Sequence, residues 1–113
     1  MIELRYYRMR NGRDPFGEWL SDLRDMNTRA KVEVRLGRLE RGLFGDCEPI
    51  GDGLSELRID WGPGYRVYFG RESKTLILLL CGGDKGKQAK DIRDAKSYWK
   101  DHKARRGKAP GVD

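Results

Sequence analysis

The sequence predicts a single α+β domain in the order β-α-α-β-β-β-α. Three observations carry this. Two apolar stripes at helical spacing, Phe16–Leu23 and Val32–Leu43, precede the main strands. Two alternating segments flank Gly62-Pro63-Gly64, as in a hairpin. The run Thr75–Cys81 is apolar on both faces and is followed by a basic amphipathic segment. At 113 residues the chain has the size of one domain and can hold a core without disulfide staples. The domain is expected over residues 1–106, with 107–113 as a flexible tail.

Ile2, Leu4 and Tyr6 alternate with polar residues and read as a half-buried strand, expected beside the central one. Asn11-Gly12 is a turn signal. Asp14-Pro15 reads as an N-cap followed by proline at the first helical position, opening a short helix to about Met26. Asn27 or Thr28 is expected to cap a second helix, whose stripe is Val32, Leu36, Leu39 and Leu43 and which Gly42 and Gly45 end. Residues 46–53 read as a polar loop. Leu57, Ile59 and Trp61 alternate with Glu56, Arg58 and Asp60; Tyr65, Val67 and Phe69 alternate with Arg66, Tyr68 and Gly70. Between them, Pro63 suits the first central position of a turn and Gly64 the second. Thr75–Cys81 reads as the central strand, broken by Gly82-Gly83. Gln88–His102 reads as the last helix, with Ile92, Ala95 and Trp99 on one face. The sheet is expected to be antiparallel and packed by the helices on one face, leaving the other exposed. Trp19 and Trp61 read as core and Asp84 as an N-cap.

Composition excludes several classes. The longest strong apolar run, Leu76–Cys81, is far short of the ~20 residues a membrane span requires. Residues 1–10 hold no signal-peptide core. Cys47 and Cys81 stand in no metal or redox spacing and read as reduced cytosolic thiols. The one histidine, His102, reads as a solvated helix-end residue, so Ser-His-Asp and Cys-His machinery lacks a base in the core. Neither a metal site nor a cofactor is expected. Gly86-Lys87 is followed by Gln88, and Cys81 stands where a phosphate loop needs glycine, which argues against an ATP site.

Charge points to a polyanion. Lys and Arg total 24 against 18 Asp and Glu, a net +6. Residues 1–84 carry 14 of each sign, whereas 85–113 carry ten basic and four acidic residues, so the whole excess sits in the last quarter. Nucleic acid is the expected partner before membrane. Arg58 and Arg66, on adjacent strands, are expected to project from one sheet face across the hairpin. Lys85 and Lys87 follow the central strand at a helix N-terminus, where backbone N–H groups favour anions. Two guanidiniums and an ammonium make a phosphate cradle. Tyr68 faces the same side as Arg66 and is a stacking or proton-transfer candidate. Lys87, Lys90, Arg93 and Lys96 are RNA-binding candidates. A non-catalytic nucleic-acid-binding domain would account equally for the charge.

Glu56-Leu57-Arg58-Ile59, then Gly62-Pro63-Gly64-Tyr65-Arg66-Val67-Tyr68-Phe69, then Leu78-Leu79-Leu80-Cys81-Gly82-Gly83-Asp84-Lys85, Gln88 and Asp91-Ile92 with Ala95 form one ordered series. With Pro15-Phe16 and Trp19-Leu20, it resembles the phage-derived, HigB-like branch of the RelE/ParE toxin superfamily over roughly residues 2–99. The resemblance implies a compact α+β toxin of a type II toxin–antitoxin pair, acting in the cytoplasm. Many members cleave mRNA on the ribosome without metal, whereas the ParE side poisons DNA gyrase. It implies a separate antitoxin partner, usually a helix-turn-helix protein, and makes Arg58, Arg66 and Lys85 the functional residues. Lys85 would hold the phosphate or donate a proton.

Overall fold

A computed structural model describes residues 1–106; the predicted tail over 107–113 lies outside the described residues. The elements are β1 (Glu3–Tyr6), α1 (Pro15–Asp22), α2 (Met26–Glu40), β2 (Cys47–Gly51), β3 (Leu54–Ile59), β4 (Tyr65–Ser73), β5 (Leu76–Asp84) and α3 (Gln88–Arg106), with a 3₁₀ turn at Lys85–Lys87. The five strands lie in the order β1-β5-β4-β3-β2. β2 to β5 pair antiparallel, and β1 adds to β5 in parallel, beside the central strand as predicted.

Local chemistry accounts for the helix starts. Asp14 caps α1 by accepting from Gly17 N at 2.9 Å, with Pro15 in the first turn. α1 ends at Asp22, earlier than expected, because Asp25 already opens α2. Asp25, rather than Asn27 or Thr28, is that cap, and it accepts from Asn27 N at 3.2 Å and Thr28 Oγ1 at 2.8 Å. The predicted stripe of α2 holds for Val32, Leu36 and Leu39, which are buried. Leu43 is exposed, because the helix stops at Glu40 and the chain turns away at Gly42. Between β3 and β4, Gly64 N donates to Trp61 O at 3.0 Å, so Gly62 and Pro63 are the central turn residues, one position earlier than expected. Gly62 takes the positive φ, 57°, that a side chain would resist.

The helices cover both faces of the sheet. α1 and α2 bury Phe16, Val32, Leu36 and Leu39 against Leu57, Ile59, Val67, Phe69, Ile77 and Leu79. On the opposite face, Ala95 and Trp99 of α3 pack on Tyr7, Leu54, Tyr68, Leu78, Leu80 and Cys81. The expected exposed sheet face is therefore covered by α3. The physical signal is β5 itself, whose two apolar faces require two partners. Trp99 lies flat on Gly70, where a Cβ would come within 2.6 Å of its ring.

β2 was expected as loop. It is an edge strand containing Pro49, and a bulge between Pro49 and Gly51 breaks the two-residue alternation. Its half-buried residues, Cys47 and Ile50, are consequently three apart. α3 runs to Arg106, past the expected His102, because its last turns are anchored. Tyr7 Oη donates to Asp101 at 2.6 Å, and His102 and Arg106 both pair with Glu72 of β4. His102 is thus half-buried, stacked on Trp99 with centroids 5.7 Å apart, rather than solvated.

Candidate functional site

The β3–β4 hairpin and the end of β5 enclose an open cleft of about 400 Å³. Its walls include Arg58, Arg66 and Lys85, the three cations singled out from sequence, together with Asp46, Asp60 and the Gly62-Pro63-Gly64 turn. Arg58 and Arg66 are direct cross-strand partners in the β3–β4 register. Lys85 is brought beside the turn by a main-chain bond, Lys85 N donating to Gly64 O at 2.9 Å. Residues 27 positions apart in the chain therefore share one cleft because the β4–β5 pairing places Asp84 opposite Tyr65.

The three cations stand in different electrostatic states. Arg58 is held by two carboxylates, Asp46 at 2.7 Å and Glu48 at 3.0 Å. Its Nε and Nη2 both donate to Asp46 Oδ1, and that hydrogen bond holds its pKa above the ordinary guanidinium value. Glu56 and Asp60 share the phase of Arg58 in the chain, yet neither pairs with it among the described residues. Glu56 instead lies 3.7 Å from Arg66 Nε, and both side chains are largely buried, at 6 % and 12 % exposure. Gln88, at the start of α3, donates to Glu56 Oε1 at 2.9 Å and to Oε2 at 3.3 Å. Arg66 Nη1 reaches Tyr65 O at 3.3 Å, while its Nε is buried with no hydrogen-bond partner among the described residues. Lys85 is exposed and takes part in no ion pair among the described residues. It is the most available cation of the cleft.

Positioning comes from residues that sequence reasoning missed. Arg35 of α2 donates to Arg58 O, to Phe44 O at 3.3 Å and to Asp46 O at 3.2 Å, which ties α2, the loop and β3 together beneath Arg58. Burial lowers its pKa, a cost that three carbonyl acceptors offset. A long-range carbonyl cluster has no signature in sequence. Gln88 was visible as a motif residue, but its contact with Glu56 depends on where α3 lands. Asp84 caps the turn after β5 as expected, accepting from Gly86 N at 2.9 Å, so its carboxylate takes an N–H that an anion would otherwise use.

Tyr68, a stacking or proton-transfer candidate from sequence, does not line the cleft. It is fully buried under α3, and its hydroxyl has no hydrogen-bond partner among the described residues. Burial, reinforced by the nearby Glu56 and Asp91 charges, pushes its pKa well above the ordinary tyrosine value. A ring in this position offers no face to a base and no phenolate to a proton, so Tyr68 belongs to the core. Arg66 and Tyr68 share a face by phase, but only Tyr68 packs into the apolar cluster with Ala95 and Trp99 of α3.

The remaining candidates divide along the 3₁₀ turn and α3. Lys87, Lys90 and Arg93 are exposed and Lys96 is half-exposed. Lys90 is neutralised by Asp94 at 2.7 Å, and Lys96 lies 3.6 Å from Asp52 in the β2–β3 turn. Among the described residues, no group of three or more His, Cys, Asp or Glu is placed to hold a metal ion, and no helix is long and apolar enough to cross a membrane.

No family model matches the chain. An uncharacterized protein of Haemophilus influenzae (strain ATCC 51907 / DSM 11121 / KW20 / Rd) is 51 % identical to it over 81 residues, 72 % of this chain and 82 % of that protein.

Proposed function

The chain belongs to the same family as this Haemophilus influenzae protein, and we propose that it is a RelE/ParE-type toxin that cleaves mRNA on the ribosome in the cytoplasm, held in check by an antitoxin. The observation that carries the reading is the meeting of Arg58, Arg66 and Lys85 at one cleft. The ordered motif series and the α+β architecture support it as well.

Metal-independent RNA cleavage proceeds by attack of the 2′-hydroxyl on the adjacent phosphorus. The bond to the 5′-oxygen breaks, leaving a 2′,3′-cyclic phosphate and a 5′-hydroxyl. The reaction needs cations for the phosphorane charge, an acceptor for the 2′-proton and a donor to the leaving oxygen. Arg66 and Lys85 meet the first need. Of the two cleft carboxylates, Asp46 is engaged by Arg58, whereas Asp60 is exposed and takes part in no ion pair among the described residues. Asp60 is the available proton acceptor, and Lys85 the donor to the 5′-oxygen. An open cleft whose walls, among the described residues, hold no aromatic ring fits an enzyme that relies on the ribosome to orient its substrate.

Expression in bacteria followed by primer extension on cellular mRNA tests this. Wild type gives discrete cleavage sites and growth arrest, and Lys85→Ala and Asp60→Asn reduce cleavage at least tenfold. Gyrase-linked DNA breaks without mRNA cleavage would place the chain with the gyrase poisons instead. The engagement of Arg58 by two carboxylates and of Arg66 by Glu56 favours one further reading, a non-catalytic nucleic-acid-binding domain. That reading predicts that cells tolerate the chain expressed alone.

A further inference from the structure

The charges of α3 are sorted by flank. Arg93, Lys96, Lys100 and Lys103 stand at steps of three, seven and ten residues and so form one stripe along the helix. The other flank carries Lys90 paired with Asp94, and Asp101 paired with Arg10 and Arg105. The stripe contains no carboxylate of the helix itself. Lys96, Lys100 and Lys103 line a groove of about 790 Å³ between α3 and the β2–β3 turn, and the one acidic residue in its wall is Asp52. Among the described residues, Arg93, Lys100 and Lys103 take part in no ion pair; Lys103 Nζ sits 5.6 Å from the Trp99 ring centroid.

We propose that this stripe is a second nucleic-acid contact, separate from the cleft, which holds the phosphate chain of single-stranded RNA along α3. This rests on the reading of the cleft as an RNA site. The stripe extends for about 15 Å at a rise of ~1.5 Å per residue, long enough for several consecutive phosphates. Its composition argues against a protein partner. A protein interface takes its affinity from buried apolar anchors, yet the exposed large hydrophobic residues among the described residues are Met1, Tyr6, Met26, Val34 and Leu43, none of them on α3. A phosphate chain requires only cations at intervals. Lys90, an RNA candidate from sequence, falls on the paired flank and is not part of the surface.

The test is fluorescence anisotropy of the full chain with a labelled 20-nucleotide single-stranded RNA, titrated between 50 and 200 mM NaCl. Each phosphate contact on a single strand contributes about 0.7 to the slope of log Kobs against log salt, so Lys96→Ala/Lys100→Ala/Lys103→Ala flattens the slope by about 2. The affinity lost over that salt range then shrinks roughly 20-fold relative to wild type. The matching triple Lys→Arg variant keeps the wild-type slope, and thermal melting verifies that both variants fold. A slope unchanged in the alanine variant overturns the stripe, whether or not mRNA is cleaved. The same holds if the substitutions weaken only a complex with a co-expressed acidic protein. No measurable RNA binding by wild type also overturns it. If the slope flattens as expected but primer extension finds no cleavage by wild type, the stripe stands and the nuclease reading fails.

Discussion

The Glu56–Arg66 pair sits where the fold and the cleft meet. Both side chains are almost out of solvent, at 6 % and 12 % exposure, and their closest atoms are 3.7 Å apart. Removing one partner of a buried ion pair costs about 3–5 kcal/mol, because the other charge is left uncompensated. The separation exceeds hydrogen-bond length, so Glu56→Gln is expected near the lower end, about 3 kcal/mol. Gln at this position retains the volume and an acceptor for Gln88, which isolates the loss of charge. Arg66→Met removes the cation and leaves Glu56 with one donor, so it too is expected to cost about 3 kcal/mol. If the pair is coupled as the geometry indicates, the double variant loses about 3–5 kcal/mol rather than the ~6 kcal/mol sum, a coupling energy of about 1–3 kcal/mol. Urea unfolding of the purified chain and its three variants measures the cycle through the midpoints. Single losses that simply add, with coupling below about 0.5 kcal/mol, would refute the assignment of Glu56 as the counter-charge of Arg66.

Asp91, whose Oδ2 is buried against Gly83 with no partner among the described residues, has its pKa raised by burial above the ordinary carboxylate value. Such a group stabilises the fold only while protonated, a contribution fully present below the unfolded pKa and lost as pH rises through the folded one. Asp91→Asn should therefore melt higher than wild type at pH 7, with the difference closing below about pH 4; a constant difference across that range contradicts the burial argument. Gly82→Ala would place a Cβ 2.3 Å from the Trp19 ring, which is itself packed between Phe16 and Tyr65, so a loss of about 1–3 kcal/mol is expected in urea unfolding. Gly37→Ala in α2 meets nothing within 4 Å, and the same measurement should show a gain of roughly 0.5–1 kcal/mol from helix propensity.

Much of the candidate site was legible because hairpin arithmetic is local. Arg58 and Arg66 stand at near-equal distances from Gly62-Pro63-Gly64, so antiparallel pairing alone sets them opposite one another, and the apolar run ending at Cys81 announced a central strand leading to Lys85. Asp14 before Pro15 announced α1, and residues 88–102 announced the helix that carries the excess charge. What the sequence could not decide was which polar groups find each other. Arg35 reaches three carbonyls, Asp46 and Glu48 take Arg58, and Glu56 turns to Arg66 and Gln88, all through side-chain contacts between different elements that the alternation within any one of them does not specify. The same holds for Tyr68, whose phase on β4 matches that of Arg66 but whose burial depends on α3 crossing above it. Alternation and periodicity are properties of neighbouring residues and survive in the bare sequence. Ion-pair choice and burial depend on the packing of whole elements, and on this sheet the landing of α3 separated the residues of the cleft from those of the core.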